Sequence, residues 1–114
     1  MKPKAVRVFA PASISNLGSG FDVLGIAIDR PGDIVTARRD PVPGLSFSVR
    51  ANVPSVPTDP SKNVAAYVAS LMLDEFRPPF GISLELAKHM PVCSGLGSSA
   101  ASSVASVVSV NALL

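Results

Sequence analysis

Residues 90–102, MPVCSGLGSSAAS, decide the interpretation of this chain. The stretch contains Gly95 and Gly97, a pair of adjacent serines and no charged residue. Before it, residues 82–87 alternate apolar with polar or small side chains, which is typical of a strand. After it, residues 98–114 predict a helix. The sequence therefore predicts a strand, a glycine-rich turn and a helix in succession.

The junction between this turn and the helix is suited to binding an anion. A helix that begins at Ser98 or Ser99 presents unpaired backbone N–H groups and a partial positive charge. Because Gly95 and Gly97 carry no side chains, several amides can converge on one phosphate. One serine can cap the helix while the other faces a phosphate-bound magnesium ion. The residues alone leave open a capped helix that binds nothing.

Two other phosphate-binding loops do not fit the chain. The Walker A motif requires a Gly-Lys pair, which occurs nowhere in the sequence. Gly95, Gly97 and Ala100 satisfy the dinucleotide pattern G-x-G-x-x-A, which is weak alone. That fingerprint expects a turn directly after the first strand, whereas several predicted strands come first here, and its acidic residue about twenty positions on would lie past Leu114. Cys93 is predicted to pack in the loop and not to act as a nucleophile, and His89 to be a loop or edge residue.

A second polar loop follows the first predicted strand. In SNLGSGFDVLG, residues 15–25, Asn16 and Asp22 bracket two glycines. An amide and a carboxylate can orient a small polar ligand while glycines allow it to approach. The alternative is a glycine turn in which both side chains bond their own backbone.

The other elements follow from alternation and turn residues. We expect Pro11 to end the first strand, and Asp59 or Ser61 to cap the first helix. In the second helix, a stripe of small side chains at helical spacing predicts the face that packs on the sheet: Ala101, Val104, Ala105, Val108 and Ala112. The predicted elements are strands at 4–10, 23–28, 34–39, 45–51 and 82–87, helices at 64–76 and 98–114, and turns at 30–33 (RPGD) and 41–44 (PVPG).

Composition limits the setting of the protein. Of 114 residues, 47% are hydrophobic and 16% charged, and the chain stops in an uncharged apolar run, so we expect the N-terminal part of a longer protein. A net charge of +2 without a Lys/Arg block predicts no nucleic-acid partner. Serines and glycines interrupt residues 90–114, which argues against a membrane span. A single cysteine, Cys93, fits a reducing, cytoplasmic location.

Together, PASISNLGSGFDVLGIAID at 11–29 and MPVCSGLGSSAASS at 90–103 resemble the GHMP kinases, and among them most closely the homoserine kinases. The pattern P-x-x-x-G-L-G-S-S-A, residues 91–100, is shared across the superfamily. The pattern N-L-G-x-G-F-D-x-L-G, residues 16–25, is characteristic of homoserine kinases. Ser19 departs from the family, which often has proline there, and this departure can loosen the loop. The likeness extends over essentially the whole chain.

The resemblance implies an α+β fold like the second domain of ribosomal protein S5. It implies a mixed sheet packed with helices, a left-handed β-α-β connection, and an N-terminal ATP-binding domain over residues 1–114. ATP and Mg²⁺ are the implied cofactors, with Asn63 at the adenine, Lys88 near the nucleotide and Ser99 as a magnesium ligand. The residues implied along the phosphates are Pro91, Val92, Cys93, Ser94, Gly95, Leu96, Gly97, Ser98, Ser99, Ala100 and Ala101.

The implied reaction transfers the γ-phosphate of ATP to the hydroxyl of L-homoserine, in threonine biosynthesis. Asn16 and Asp22 would hold this substrate, and Asp22 would orient its hydroxyl. An acidic magnesium partner and carboxylate-binding arginines are expected beyond Leu114, so the 114 residues alone are expected to be inactive and the full-length protein to be a homodimer. Three alternatives stay open: another superfamily kinase, acting on mevalonate or a diphosphocytidyl-methylerythritol; a non-catalytic S5-like binding module; and a fragment without a ligand.

Overall fold

Four strands and two helices make up the part of the chain that the structure describes. The computed structural model describes residues 3–14, 26–51, 56–88 and 98–114. The elements are strands β1 (Ala5–Ile14), β2 (Ile26–Asp40), β3 (Leu45–Ala51) and β4 (Gly81–Lys88), and helices α1 (Val64–Phe76) and α2 (Ser98–Leu113). Among the described residues, neither helix has both the length and the apolar character needed to cross a membrane.

The strands form one mixed sheet in the order β1-β2-β4-β3. β2 pairs antiparallel with both β1 and β4, whereas β3 and β4 are parallel. Because α1 connects the two parallel strands, β3, α1 and β4 form a β-α-β unit. The predicted mixed sheet with packed helices is confirmed, while the left-handed sense of the connection stays a prediction.

The sequence predicted that Pro11 ends the first strand, and this prediction is wrong. β1 continues to Ile14, and Pro11 pairs with Gly32 of β2. Among the described strands, β1 lies at the edge of the sheet with β2 as its single neighbour. A proline is tolerated there because its missing N–H need not interrupt a ladder.

The predicted turn at residues 30–33 is also wrong, since β2 runs through it. Pairing of β2 with β4 begins only at Ile34, so Pro31 lies where β2 has β1 as its single partner. The β1–β2 pairing is irregular here instead of forming a turn. Its register shifts, so that residues 28–31 lie opposite Ala12 alone.

The helices cover one face of the sheet. Alternate residues of the two central strands are buried there over residues 33–37 and 82–88, including Val35 and Ala37 of β2 and Leu84 and Leu86 of β4. These side chains belong to one apolar cluster with residues of both helices. The helix residues in the cluster are Ala65, Ala69, Ala101, Ala105, Val110 and Leu113.

The predicted stripe on α2 is wrong in two of its five members. Ala101 and Ala105 are buried, but Val104 is 55% exposed and Val108 is 49% exposed. The buried face is rotated toward three serines, Ser102, Ser106 and Ser109, all of which are buried.

Hydrogen bonds explain why serines can occupy this buried face. The Ser106 hydroxyl donates to the Ala65 carbonyl of α1 at 2.7 Å, and the Ser109 hydroxyl donates to the Ser106 carbonyl at 3.0 Å. A satisfied hydroxyl loses little on burial, and its small volume allows close helix packing. Simple hydrophobicity could not predict this face.

Arg39 of β2 fixes the far end of α2. Its guanidinium donates from Nε and Nη2 to the Leu113 carbonyl, at 3.1 and 2.6 Å. The same group lies 4.4 Å over the ring of Phe80. A cation at a helix C-terminus satisfies a carbonyl that has no partner within the helix and opposes the negative end of the helix dipole. The last turn of α2 is therefore held against β2.

Candidate nucleotide site

The structure describes part of the predicted site. Asn16, Asp22 and residues 91–97 lie outside the described residues, so what the sequence predicts for them stays a prediction. The predicted site residues within the described part are Asn63, Lys88, Ser98, Ser99, Ala100 and Ala101.

The start of α2 fits an anion. The helix begins at Ser98, which is one of the two predicted starts, and no acidic residue lies in its first turn. Ala100 is exposed and Ala101 is buried, so one side of this turn packs on the core and another faces solvent. A helix start whose first turn carries no acidic residue attracts negative charge through its backbone N–H groups.

A buried polar cluster of Asp33, Lys88 and Ser102 lies beside this helix start. The Lys88 ammonium donates to the Asp33 carboxylate at 2.6 Å and to the Ser102 hydroxyl at 2.8 Å. The Ser102 hydroxyl donates to the same Asp33 oxygen at 3.1 Å. Asp33, Lys88 and Ser102 are 0%, 4% and 2% exposed. The residue predicted to lie near the nucleotide is thus held by a carboxylate and a hydroxyl.

The sheet register explains how Asp33 and Lys88 meet. They lie one residue beyond the Ile34–Ala87 pair of the β2–β4 ladder. Each also lies two residues from a buried aliphatic side chain, Val35 or Leu86, so both point to the helix-covered face. The β2–β4 pairing therefore directs a carboxylate and an ammonium to the same edge of the core.

The sequence alone did not predict a role for Asp33 or Ser102. Asp33 was assigned to the predicted turn, and Ser102 falls outside the predicted small-residue stripe. The available signal was an acid and a lysine at the ends of two apolar strands. That signal is useful only when the pairing of β2 with β4 is known.

Asn63 caps α1, in place of the predicted Asp59 or Ser61. Its Oδ1 accepts a hydrogen bond from the Ala65 N–H at 3.0 Å, and its Nδ2 donates to the Pro57 carbonyl at 2.8 Å. The residue is buried. Its predicted contact with adenine stays a prediction, made now for a side chain that the fold already orients.

Asp59 stabilises the turn before this cap. Its carboxylate accepts from the backbone N–H of Ser61 at 2.9 Å and from the Ser61 hydroxyl at 2.8 Å. The backbone hydrogen bond, followed by that of the hydroxyl, lowers the pKa of the Asp59 carboxyl below its ordinary value. This turn leads directly into the start of α1.

A pocket of about 310 Å³ opens at the start of α1. Tyr67, one turn after the cap, is 53% exposed and presents an aromatic ring, which sequence analysis did not single out. Aromatic rings and amide groups are suited to binding a nucleobase by stacking and hydrogen bonding. The lining residues are Ser61, Lys62, Asn63, Val64 and Tyr67.

The starts of the two helices lie near one another. The Ser106–Ala65 hydrogen bond joins the first turn of α1 to α2. Ser106 is eight residues after the start of α2, which corresponds to about 12 Å along the helix axis. The pocket and the start of α2 are therefore close enough for one extended ligand. Within residues 3–14, 26–51, 56–88 and 98–114, no group of three or more His, Cys, Asp or Glu side chains comes together.

Comparison with known proteins identifies the family. Residues 63–114 match the family described as GHMP kinases N terminal domain. A homoserine kinase of Chlorobium phaeovibrioides is 41% identical over 122 residues, which cover 97% of this chain and 38% of that protein. The crystal structure of homoserine kinase from Cytophaga hutchinsonii matches with a TM-score of 0.86 and 41% identity, over 97% of this chain and 36% of that chain.

Residues 63–114 of this chain are a GHMP kinase N-terminal domain. This finding confirms the resemblance based on residues 11–29 and 90–103 and the predicted α+β fold.

A more distant GHMP kinase structure shares the fold alone. The crystal structure of 4-(cytidine 5'-diphospho)-2C-methyl-D-erythritol kinase matches with a TM-score of 0.56 and 18% identity, over 90% of this chain and 38% of that chain. The present chain spans little more than a third of the length of the relatives that it matches.

Proposed function

We propose that the natural protein containing this chain is a homoserine kinase, which transfers the γ-phosphate of ATP to the side-chain hydroxyl of L-homoserine. The observation that carries the proposal is 41% identity, over 97% of this chain, to a protein named homoserine kinase. The first motif, residues 16–25, supports the same substrate. The product, O-phospho-L-homoserine, lies on the route to threonine.

The phosphates of ATP are proposed to lie along residues 91–101, at the start of α2. The exposed Ala100 and the absence of acid in the first turn support this placement. Backbone N–H groups and the helix dipole then supply the positive field that a lysine supplies in other loops. Bound Mg²⁺, with Ser99 as a proposed ligand, would neutralise the charge that develops during transfer.

Adenine is proposed to occupy the pocket at the start of α1. Asn63 has hydrogen-bonding groups on a fixed side chain, and Tyr67 has a half-exposed ring. The start of α2 lies about 12 Å along the helix axis from Ser106, which bonds the first turn of α1, and this spacing supports one ligand that bridges the two helix starts. The ATP-binding domain is proposed to span residues 1–114.

L-homoserine is proposed to be held by Asn16 and Asp22. Phosphoryl transfer has a loose transition state, so placement of the acceptor in line with the γ-phosphate supplies much of the rate. Asp22 orients the acceptor hydroxyl in this proposal. From the family resemblance, the enzyme is proposed to act as a cytoplasmic homodimer, without a nucleic-acid or membrane partner.

A panel of acceptors tests the proposed substrate. The natural full-length protein is incubated with Mg-ATP and, separately, with L-homoserine, mevalonate or 4-diphosphocytidyl-methylerythritol, and ADP release is measured. A site that hydrogen-bonds its own substrate should give kcat/KM for L-homoserine at least about 100-fold above the others. Phosphorylation of only another acceptor would make the protein a different GHMP kinase. Retention on heparin without any use of ATP would make it a binding module.

A further inference from the structure

We infer that Asp33 and Ser102 are positioning residues for the phosphates of the nucleotide. Together with Lys88 they form a buried clamp, called here the Asp33 clamp, that fixes the start of α2 relative to the end of β4. The inference rests on the proposed function, because it concerns how the proposed ATP site is held. Asp33 and Ser102 act through Lys88 and the helix, without touching the reacting atoms.

The clamp joins the two ends of the glycine-containing segment. Lys88 is the last residue of β4, Ser102 is the fifth residue of α2, and residues 89–97 connect the two elements. The Lys88–Ser102 hydrogen bond of 2.8 Å therefore closes the loop across its base. Asp33 belongs to neither end and bonds both, at 2.6 and 3.1 Å. The separation of the loop ends is thus fixed by side chains from three elements.

The same contacts set the orientation of α2. Ser102 is tied to Asp33 near the start of the helix, and Leu113 is tied to Arg39 at its end. Both anchors lie on β2, so the helix is held on the sheet at two points. Its first-turn N–H groups point along the helix axis, and a rotation at the Ser102 end redirects them. A shift of about 1 Å in these N–H groups is enough to weaken their hydrogen bonds to a bound phosphate markedly.

The position of the clamp argues for more than stability. A buried ion pair often adds little to stability compared with well-packed apolar side chains. Ser106 and Ser109 show how a buried hydroxyl of α2 serves packing, since each donates to a helix carbonyl. Ser102 is different because its hydroxyl connects to two charged groups at the base of the proposed phosphate loop.

A pair of serine variants in the natural full-length protein tests this inference. S102A removes the hydroxyl of the clamp, whereas S106A removes an equally buried hydroxyl one turn further along α2. Mg-ATP affinity is measured by isothermal titration calorimetry without acceptor, KM for both substrates by steady-state kinetics, and Tm by calorimetry. We expect S102A to weaken Mg-ATP binding by about tenfold and to change KM for L-homoserine by less than about twofold. S106A should leave both constants unchanged although its Tm falls.

The outcomes separate the inference from the proposed function. If S102A and S106A bind Mg-ATP with the same affinity as the wild type, the clamp only stabilises the fold and the inference is wrong. Equal loss of affinity for both substrates in S102A would also overturn it, since that result indicates general disorder. A wild-type protein that binds no Mg-ATP would instead contradict the proposed function. D33N, which keeps the shape of the side chain, should weaken Mg-ATP binding in the same direction as S102A.

Discussion

Replacing Asp33 with alanine lowers the free energy of unfolding of the full-length protein by about 3–5 kcal/mol. The reason is that the Lys88 ammonium then stays buried without the carboxylate that lies 2.6 Å from it. Asp33 is fully buried and Lys88 is 4% exposed, so water cannot take over the lost partner without opening the core. Urea denaturation of wild type and D33A measures the difference.

An exposed ion pair in the same sheet provides the matched control. Arg50 and Glu85 lie 3.7 Å apart on β3 and β4, with side chains 80% and 43% exposed. E85A should cost less than about 1 kcal/mol, because water screens and replaces this contact. The double variant D33N/K88M, which removes the buried charge as well, should recover much of the loss seen in D33A. Equal losses in D33A and E85A would show that Asp33 and Lys88 are not a buried pair.

Replacing Ser99 with alanine lowers kcat with Mg-ATP by about 100-fold, on the scale of losing one polar group aimed at the transition state. Ser99 is the second residue of α2, and the phosphates are proposed to lie at this end of the helix. Its hydroxyl is the proposed protein ligand of Mg²⁺ in this segment. Steady-state kinetics across a range of Mg²⁺ concentrations measures the effect and should also show a higher Mg²⁺ requirement.

Ser109 supplies the control for this substitution. Its hydroxyl donates to the Ser106 carbonyl at 3.0 Å inside the same helix, two to three turns from the proposed phosphates. S109A should therefore keep a wild-type kcat and lose only some stability. If S99A turns over as fast as S109A, Ser99 does not belong to the magnesium shell.

The elements of the fold were largely predictable from the sequence, but the end of β1 and the full extent of β2 were not. Alternation located β3 and β4, and the helix predicted at residues 64–76 matches α1. Pro11 and Pro31 misled because a proline disrupts a strand only where a neighbour needs its N–H. Whether a neighbour is present depends on the strand order β1-β2-β4-β3, which one strand's own sequence does not contain.

The motifs of the candidate site were predictable from the sequence, but the residues that hold the site in place were not. The glycine and serine pattern predicts where α2 begins, because helix starts have local chemistry. Asp33 and Ser102 could not be found in the same way, since the clamp joins residues 69 positions apart in the chain. The buried face of α2 was mispredicted for the same reason. Ser106 is acceptable in the core only because the Ala65 carbonyl is present to receive its hydrogen bond.

The crystal structure of the full-length protein with Mg²⁺ and a non-hydrolysable ATP analogue is the most direct measurement. We predict phosphate oxygens within about 3 Å of backbone nitrogens of residues 94–100, at the start of α2. A nucleotide bound elsewhere, with these N–H groups already bonded to carbonyls of the protein, would contradict the proposed role of the helix start in binding ATP.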